Sequence, residues 1–170
     1  MTTGFVRSSP AGELAPNGAT YVVFDLFGQT MGVDVRHVRE ILAPQEIARL
    51  PGAQPEVTGV IDLRGRCVPI VDLASGFGMS RVEPGTDARI VVFDIEAGER
   101  RCQIGVMADR VRDVVWIEGA RIEPASGRGL AGWDGPGLLG ATRRETGLVF
   151  LIDIKHFLAA RCDAGLLETA

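Results

Sequence analysis

Lysine is nearly missing from this chain: 17 of its 18 basic residues are arginine, and Lys155 stands alone. Skewed genomic base composition produces that bias, although the planar arginine fork is also the better interface group. Positive charge is in deficit overall, with a formal net charge of -4 and no Lys/Arg run. A nucleic-acid partner is therefore not expected, because displacing counterions from phosphate needs a concentrated basic face. The three cysteines, Cys67, Cys102 and Cys162, form no CxxC and no Cys/His pairing at metal spacing. Free thiols in a reducing cytoplasm are the expectation, with no metal site. No apolar run approaches the ~18 residues of a membrane span, and residues 1–20 lack the basic-then-apolar order of a signal peptide. Direct membrane insertion is not expected. What remains is a folded chain of 170 residues, 46% apolar and 24% charged, sized for one domain or two small lobes on a shared core. Its 22 glycines and 9 prolines favour short strands and turns over long helices.

The chain contains a repeat. Val22-Val23-Phe24-Asp25-Leu26 returns as Val91-Val92-Phe93-Asp94-Ile95, Gly32-Val33 as Gly105-Val106, and Val38-Arg39-Glu40-Ile41-Leu42 as Val111-Arg112-Asp113-Val114-Val115. Gly59 to Leu73 then overlays Gly140 to Ile154 without a gap. The offset grows from 69 to 73 to 81, as insertions in loops would produce. A duplicated subdomain follows, with pseudo-repeats at roughly 21–79 and 89–158, a loose N-terminal arm over 1–19 and a C-terminal tail over 161–170. Half a chain of this size buries too little surface alone, so the halves are expected to share a core.

Within each half the pattern reads strand, turn, strand, a short helical or irregular stretch, a hairpin and a terminal helix. Val22, Phe24 and Leu26 alternate onto one face. Val35, Val38 and Leu42 suit a short amphipathic helix that ends as a strand through Glu40 to Leu42. Arg64-Gly65-Arg66 marks a tight hairpin, and Pro69 suggests a strand at an edge or with its nitrogen turned outward. Asp72 and Asp153 have the placement of helix N-caps.

Most candidate chemistry has a structural explanation. Gly135 to Gly140 spells G-x-G-x-x-G, but a dinucleotide loop must join a strand to a helix, and here a strand follows. His37 and His156 lack a nucleophile elbow and read as surface histidines, while Cys67 alternates within an apolar strand as a buried thiol. Asp25 with Asp94, and Asp72 with Asp153, are repeat equivalents and not a catalytic pair. Trp116 is expected inside the second barrel, and Trp133 in a loop as a partner anchor or lid. Glu40 interrupts an apolar segment and Arg64 tips a hairpin, and packing explains neither. Their counterparts, Asp113 and Glu145, reverse the sign at the tip.

In order, Val38-Arg39-Glu40-Ile41, Leu50-Pro51, Gly59-Val60-Ile61-Asp62-Leu63-Arg64-Gly65, Val68-Pro69-Ile70-Val71-Asp72-Leu73 and Leu151-Ile152-Asp153 resemble the CheW family of bacterial chemotaxis coupling proteins. The likeness runs from Tyr21 to about Leu158. It implies a mainly β fold, two small five-stranded SH3-like β-barrels packed on a shared hydrophobic core with short helices. It also implies a noncatalytic, cofactor-free adaptor between the cytoplasmic tip of a chemoreceptor and the regulatory domain of the histidine kinase CheA.

On the family's motifs, receptor contact maps to Glu40 and Arg64, with Val38, Gly59 and Gly65 shaping the surface. Kinase contact falls to the barrel ends. Asp62 departs from the family's usual asparagine, and its carboxylate is expected to pair with Arg64 and compete with a receptor acid. The protein is expected in the cytoplasm, recruited to membrane-associated receptor arrays. Two alternatives remain open: the same fold serving another signalling array, and an enzyme or small-ligand barrel using His37, Cys67 or the glycine loop.

Overall fold

The computed structural model describes residues 14–73, 85–125 and 137–163. Eleven strands and one helix occupy them: β1 (Gly18–Leu26), β2 (Gln29–Asp34), β3 (Val38–Leu42), β4 (Val57–Leu63), β5 (Arg66–Val71), β6 (Arg89–Ala97), β7 (Arg100–Ala108), β8 (Arg110–Glu118), β9 (Ile122–Pro124), β10 (Leu138–Arg144), β11 (Gly147–Ile152) and α1 (Ile154–Asp163). The strands form two sheets, ordered β8-β1-β2-β11-β10-β9 and β3-β6-β7-β5-β4. One sheet thus has six strands, not the expected five, because three-residue β9 adds to β10. Neither sheet closes through a complete hydrogen-bonded ring.

The duplication is visible in the strand orders, but each sheet mixes the two repeats. Replacing β3, β6, β7, β5 and β4 by their sequence counterparts gives β8, β1, β2, β11 and β10, the other sheet's order. The first hairpin of each half has therefore crossed over to complete the sheet of the other half. Two short parallel contacts make the joint: Ile70 and Val71 of β5 face Gly105 and Val106 of β7, and Phe150 and Leu151 of β11 face Met31 and Gly32 of β2. Glycine makes room for a neighbouring side chain at both. A Cβ on Gly105 would stand 2.5 Å from the Ile70 side chain, and one on Gly32 would stand 2.7 Å from that of Leu151.

Alternation along the strands separates three cores. Val22, Phe24, Leu26, Phe93, Ile95, Ile104 and Val106 belong to the seam between the sheets, which α1 covers with Ile154 and Leu158. The opposite faces enclose Tyr21, Val23, Ile117 and Leu151 in one lobe, and Ile61, Val68, Ile70, Ile90 and Val92 in the other. Burying each such side chain stabilises the fold by roughly 1.5–3 kcal/mol, so the seam commits both halves to one unit.

Local details amend several expectations. Only Val35–His37 is helical in the stretch before Glu40, as a single 3-10 turn capped by Asp34, and β3 follows directly. Strand β1 begins at Gly18 and Leu14 packs on the second lobe's core, so 14–19 are part of the fold. Strand β5 is internal, and its described pairing to β7 begins only after Pro69, whose missing N–H cannot donate. Asp153 caps α1, accepting from the backbone N–H groups of Lys155 and His156. The helix expected after Asp72, the loop carrying Trp133, and the glycine motif's Gly135 and Pro136 lie outside the described residues. From Leu138 onward that motif is strand.

Trp116 is not inside the barrel. Its side chain is 58% exposed, because Val115 and Ile117 take the inward positions and period-two geometry turns Trp116 out. Cys67 is also exposed, one residue into β5 and beyond the end of the lobe's core. Cys102 and Cys162, expected as separate thiols, are joined by a disulfide that ties α1 to β7. Sixty residues separate them in sequence, and only the packing of α1 against β7 makes them neighbours.

Candidate functional site

β3 and β4 are the two outer strands of the five-stranded sheet, yet the chain after β3 and the Glu40 carboxylate reach β4 and the turn that follows it. Two devices span the gap. Ala48, in the connection after β3, exchanges backbone hydrogen bonds of 2.9 and 2.8 Å with Val60 of β4. This approach explains Gly59, where a Cβ would collide with the Ala48 carbonyl. The second device is an ion pair: Arg64 donates from Nη1 and Nη2 to the two carboxylate oxygens of Glu40, at 3.1 and 2.9 Å. A fork-on-fork pair fixes orientation as well as charge.

The hairpin aims Arg64 at its partner. Arg64 (φ 52°) and Gly65 (φ 81°) both occupy the left-handed region between β4 and β5, as a two-residue turn with the twist of its strands requires. Gly65 adopts it freely, whereas Arg64 does so at a cost. Phe27 is the other described non-glycine residue with positive φ, and it packs on the seam core. Arg64 buries little: its side chain is 73% exposed while that of Glu40 is 19% exposed. An arginine in a strained position without packing to justify it is a functional candidate.

The expected pairing of Asp62 with Arg64 is not made. Its Oδ1 accepts the Gly65 N–H at 2.9 Å, closing the turn from beneath and leaving Arg64 to Glu40. Asp62 therefore pins the hairpin that presents Arg64. Of the residues singled out in sequence, Glu40, Asp62, Arg64 and Gly65 converge at the seam, Gly59 shapes its floor through Ala48, and Val38 stands apart, packed on the inter-sheet core. Ile41 and Leu50 add exposed apolar surface to β3 and the connection that follows it.

The second lobe repeats this framework. Asp113 of β8 pairs with Arg144 of β10 at 3.1 Å, as Glu40 does with Arg64. A further pair binds the halves to each other in both lobes: Arg39 to Asp94 and Arg112 to Asp25. These cross-half contacts account for Asp25 and Asp94 as structural equivalents. Sequence reading missed both Arg144 and the Arg39 and Arg112 pairs, because the strand exchange is invisible in a linear chain.

The groups of the catalytic alternative are not gathered. Cys67 lies in a polar groove with Arg39, Arg66, Asp94 and Arg101, and His37 is not among its lining residues. His37 titrates below the ordinary histidine range because burial disfavours its charged form, an effect that Arg36 and Lys155 reinforce and Asp34 and Asp153 oppose. An apolar cavity of about 80 Å³ at the seam includes Asp72 and Asp109, but an Asp109 oxygen is engaged by the Phe27 N–H at 3.0 Å. Among the described residues no three His, Cys, Asp or Glu side chains are grouped to hold a metal.

The family model described as "CheW-like domain" matches residues 20–162. The chain belongs to the CheW-like domain family. It is 32% identical to the chemotaxis protein CheW of Klebsiella aerogenes over 118 residues, covering 69% of this chain and 68% of that protein. It is 30% identical to CheW of Bacillus subtilis over 108 residues, 64% and 67% of the respective lengths. The crystal structure of the scaffolding protein TtCheW from Thermoanaerobacter tengcongensis superposes with a TM-score of 0.69 at 25% identity, covering 85% of this chain and 90% of that one. The two-sheet architecture is thus the CheW architecture of paired SH3-like barrels, with each barrel left open along one seam. No helix among the described residues is long and apolar enough to cross a membrane.

Proposed function

We propose that this chain is a noncatalytic coupling adaptor of a bacterial chemosensory array, joining the cytoplasmic tip of a chemoreceptor to the regulatory domain of a CheA-type histidine kinase. Membership of the CheW-like family supports the adaptor role. The observation that carries the receptor contact is the Glu40–Arg64 pair, held across the open seam by a strained, Asp62-pinned hairpin. Arg64 offers a mostly exposed fork that engages Glu40 through Nη1 and Nη2, and Ile41 and Leu50 are exposed apolar residues on β3 and the connection after it. An arginine beside apolar surface is a frequent hot-spot composition.

The adaptor works in the cytoplasm, where weak pairwise contacts gain strength from simultaneous engagement in an array. Kinase control then requires that it fit one state of the array better than another. The test is co-sedimentation of the full chain with a receptor-tip fragment and with the kinase regulatory domain, separately and together. Arg64→Glu should weaken the receptor arm while leaving the kinase arm and the thermal melt near wild type. Receptor binding that survives this charge reversal would reject the assigned site.

A further inference from the structure

The second lobe keeps the ion-pair framework of the first but not its charges. Through the repeat, His37, Asp62, Leu63 and Arg64 correspond to Arg110, Arg143, Arg144 and Glu145. A groove of about 720 Å³ runs along the open side of β8, lined by Arg110, Arg112, Arg121, Arg143 and Arg144 against only Asp113 and Glu145. In a chain of net charge -4 this is a local excess of positive charge. Three of the five arginines have carboxylate partners: Arg112 with Asp25, Arg144 with Asp113, and Arg121 with Glu118 at a loose 3.9 Å. Arg110 and Arg143 are exposed, and among the described residues no ion pair or hydrogen bond engages either side chain.

β8 itself is nine residues long and forms an outer strand of its sheet, with β1 as its only described sheet neighbour. Among the described residues its other edge carries no strand partner, and the same strand exposes Val114 (55%) and Trp116 (58%). A free strand edge, adjacent apolar side chains and unneutralised guanidinium groups together match an extended polypeptide bearing carboxylates. Double-stranded nucleic acid matches less well, since the basic groups line one groove of an acidic protein and not a broad face.

We propose that the β8 groove of the second lobe is a docking site for an extended acidic segment of a partner protein, paired along the β8 edge with its carboxylates on Arg110 and Arg143. This goes beyond the adaptor reading: it assigns a second contact surface, on the other lobe, and it does not depend on Arg64.

The test uses fluorescence anisotropy of a labelled octapeptide of alternating glutamate and valine, titrated with the full-length chain at low salt. Saturable binding is expected, weakened at least about tenfold by the double variant Arg110→Glu/Arg143→Glu and by high salt, and unchanged by Arg64→Glu. Both substituted residues are exposed and have no ion pair among the described residues, so the variant's melt should match wild type. Four results overturn the proposal: no binding of the acidic octapeptide, equal binding of its lysine counterpart, insensitivity to the double variant, or tighter binding of a single-stranded oligonucleotide or of anionic vesicles. Because Arg64→Glu reports on the receptor surface separately, failure here leaves the adaptor reading standing.

Discussion

Replacing Arg64 by asparagine or glycine should separate what this residue does for the fold from what it does for binding. Arg64 sits at φ 52°, where an ordinary side chain costs roughly 1–2 kcal/mol. Asparagine relieves part of that cost and glycine nearly all of it. Against this stands the ion pair to Glu40, which is bidentate but 73% exposed on the arginine side, a setting worth about 0.2–1 kcal/mol. Glycine also adds unfolded-state entropy of roughly 0.4–1 kcal/mol, which opposes its gain.

The contributions nearly cancel, so both variants should lie within about 1 kcal/mol of wild type, or ~2–4 °C in a chain of this size. Thermal and urea melts measure the stability, and receptor-tip binding measures the function. Stability should be kept and binding lost. A fall of more than about 2 kcal/mol in both variants would mean that Arg64 is structural, and the inference from strain to function would fail. Retained stability with retained binding would make the residue an ordinary surface arginine.

Three further outcomes follow from the packing. Gly105→Ala places a methyl group against Ile70 at the parallel joint between the halves and should cost about 1–3 kcal/mol in a urea melt, whereas Gly85→Ala, with open space around it and no positive φ, should melt near wild type. His37 has its proton affinity lowered by burial, so the unfolded chain binds the proton more readily; stability is full above the ordinary histidine pKa of ~6.5 and declines as pH falls through it. His37→Gln should flatten that part of the stability–pH curve, and an unchanged slope would assign it elsewhere. Cys162→Ser should cost about 2–4 kcal/mol under oxidising conditions and nothing beyond wild type once a reductant opens the Cys102–Cys162 bond; equal melts in both buffers would show the link to be absent in solution.

The duplicated motif, the strand periodicity and the hairpin tip were readable in the sequence because they depend on neighbours a few residues apart. Alternation fixes which of Val22, Val23 and Phe24 share a face, and the Asp153 cap needs only the next three residues. The same rule applied with attention to parity would have turned Trp116 outward, since Val115 and Ile117 are apolar on either side. Cys67 was misread for a related reason: periodicity reports the face of a strand but not where the core ends along it.

Which strands became partners was settled in three dimensions. The exchange of first hairpins, the parallel joints at Gly32 and Gly105, and the link from Cys102 to Cys162 depend on how two curled sheets stack. The family motif named Glu40 and Arg64, but only the curl of the sheet sets these outer-strand and hairpin residues within 2.9 Å of each other. It also gives Asp62 to the Gly65 amide instead of Arg64. Local geometry follows from residues close along the chain. Seam contacts follow from sheet curvature, which is a sum over every strand and is written at no single position.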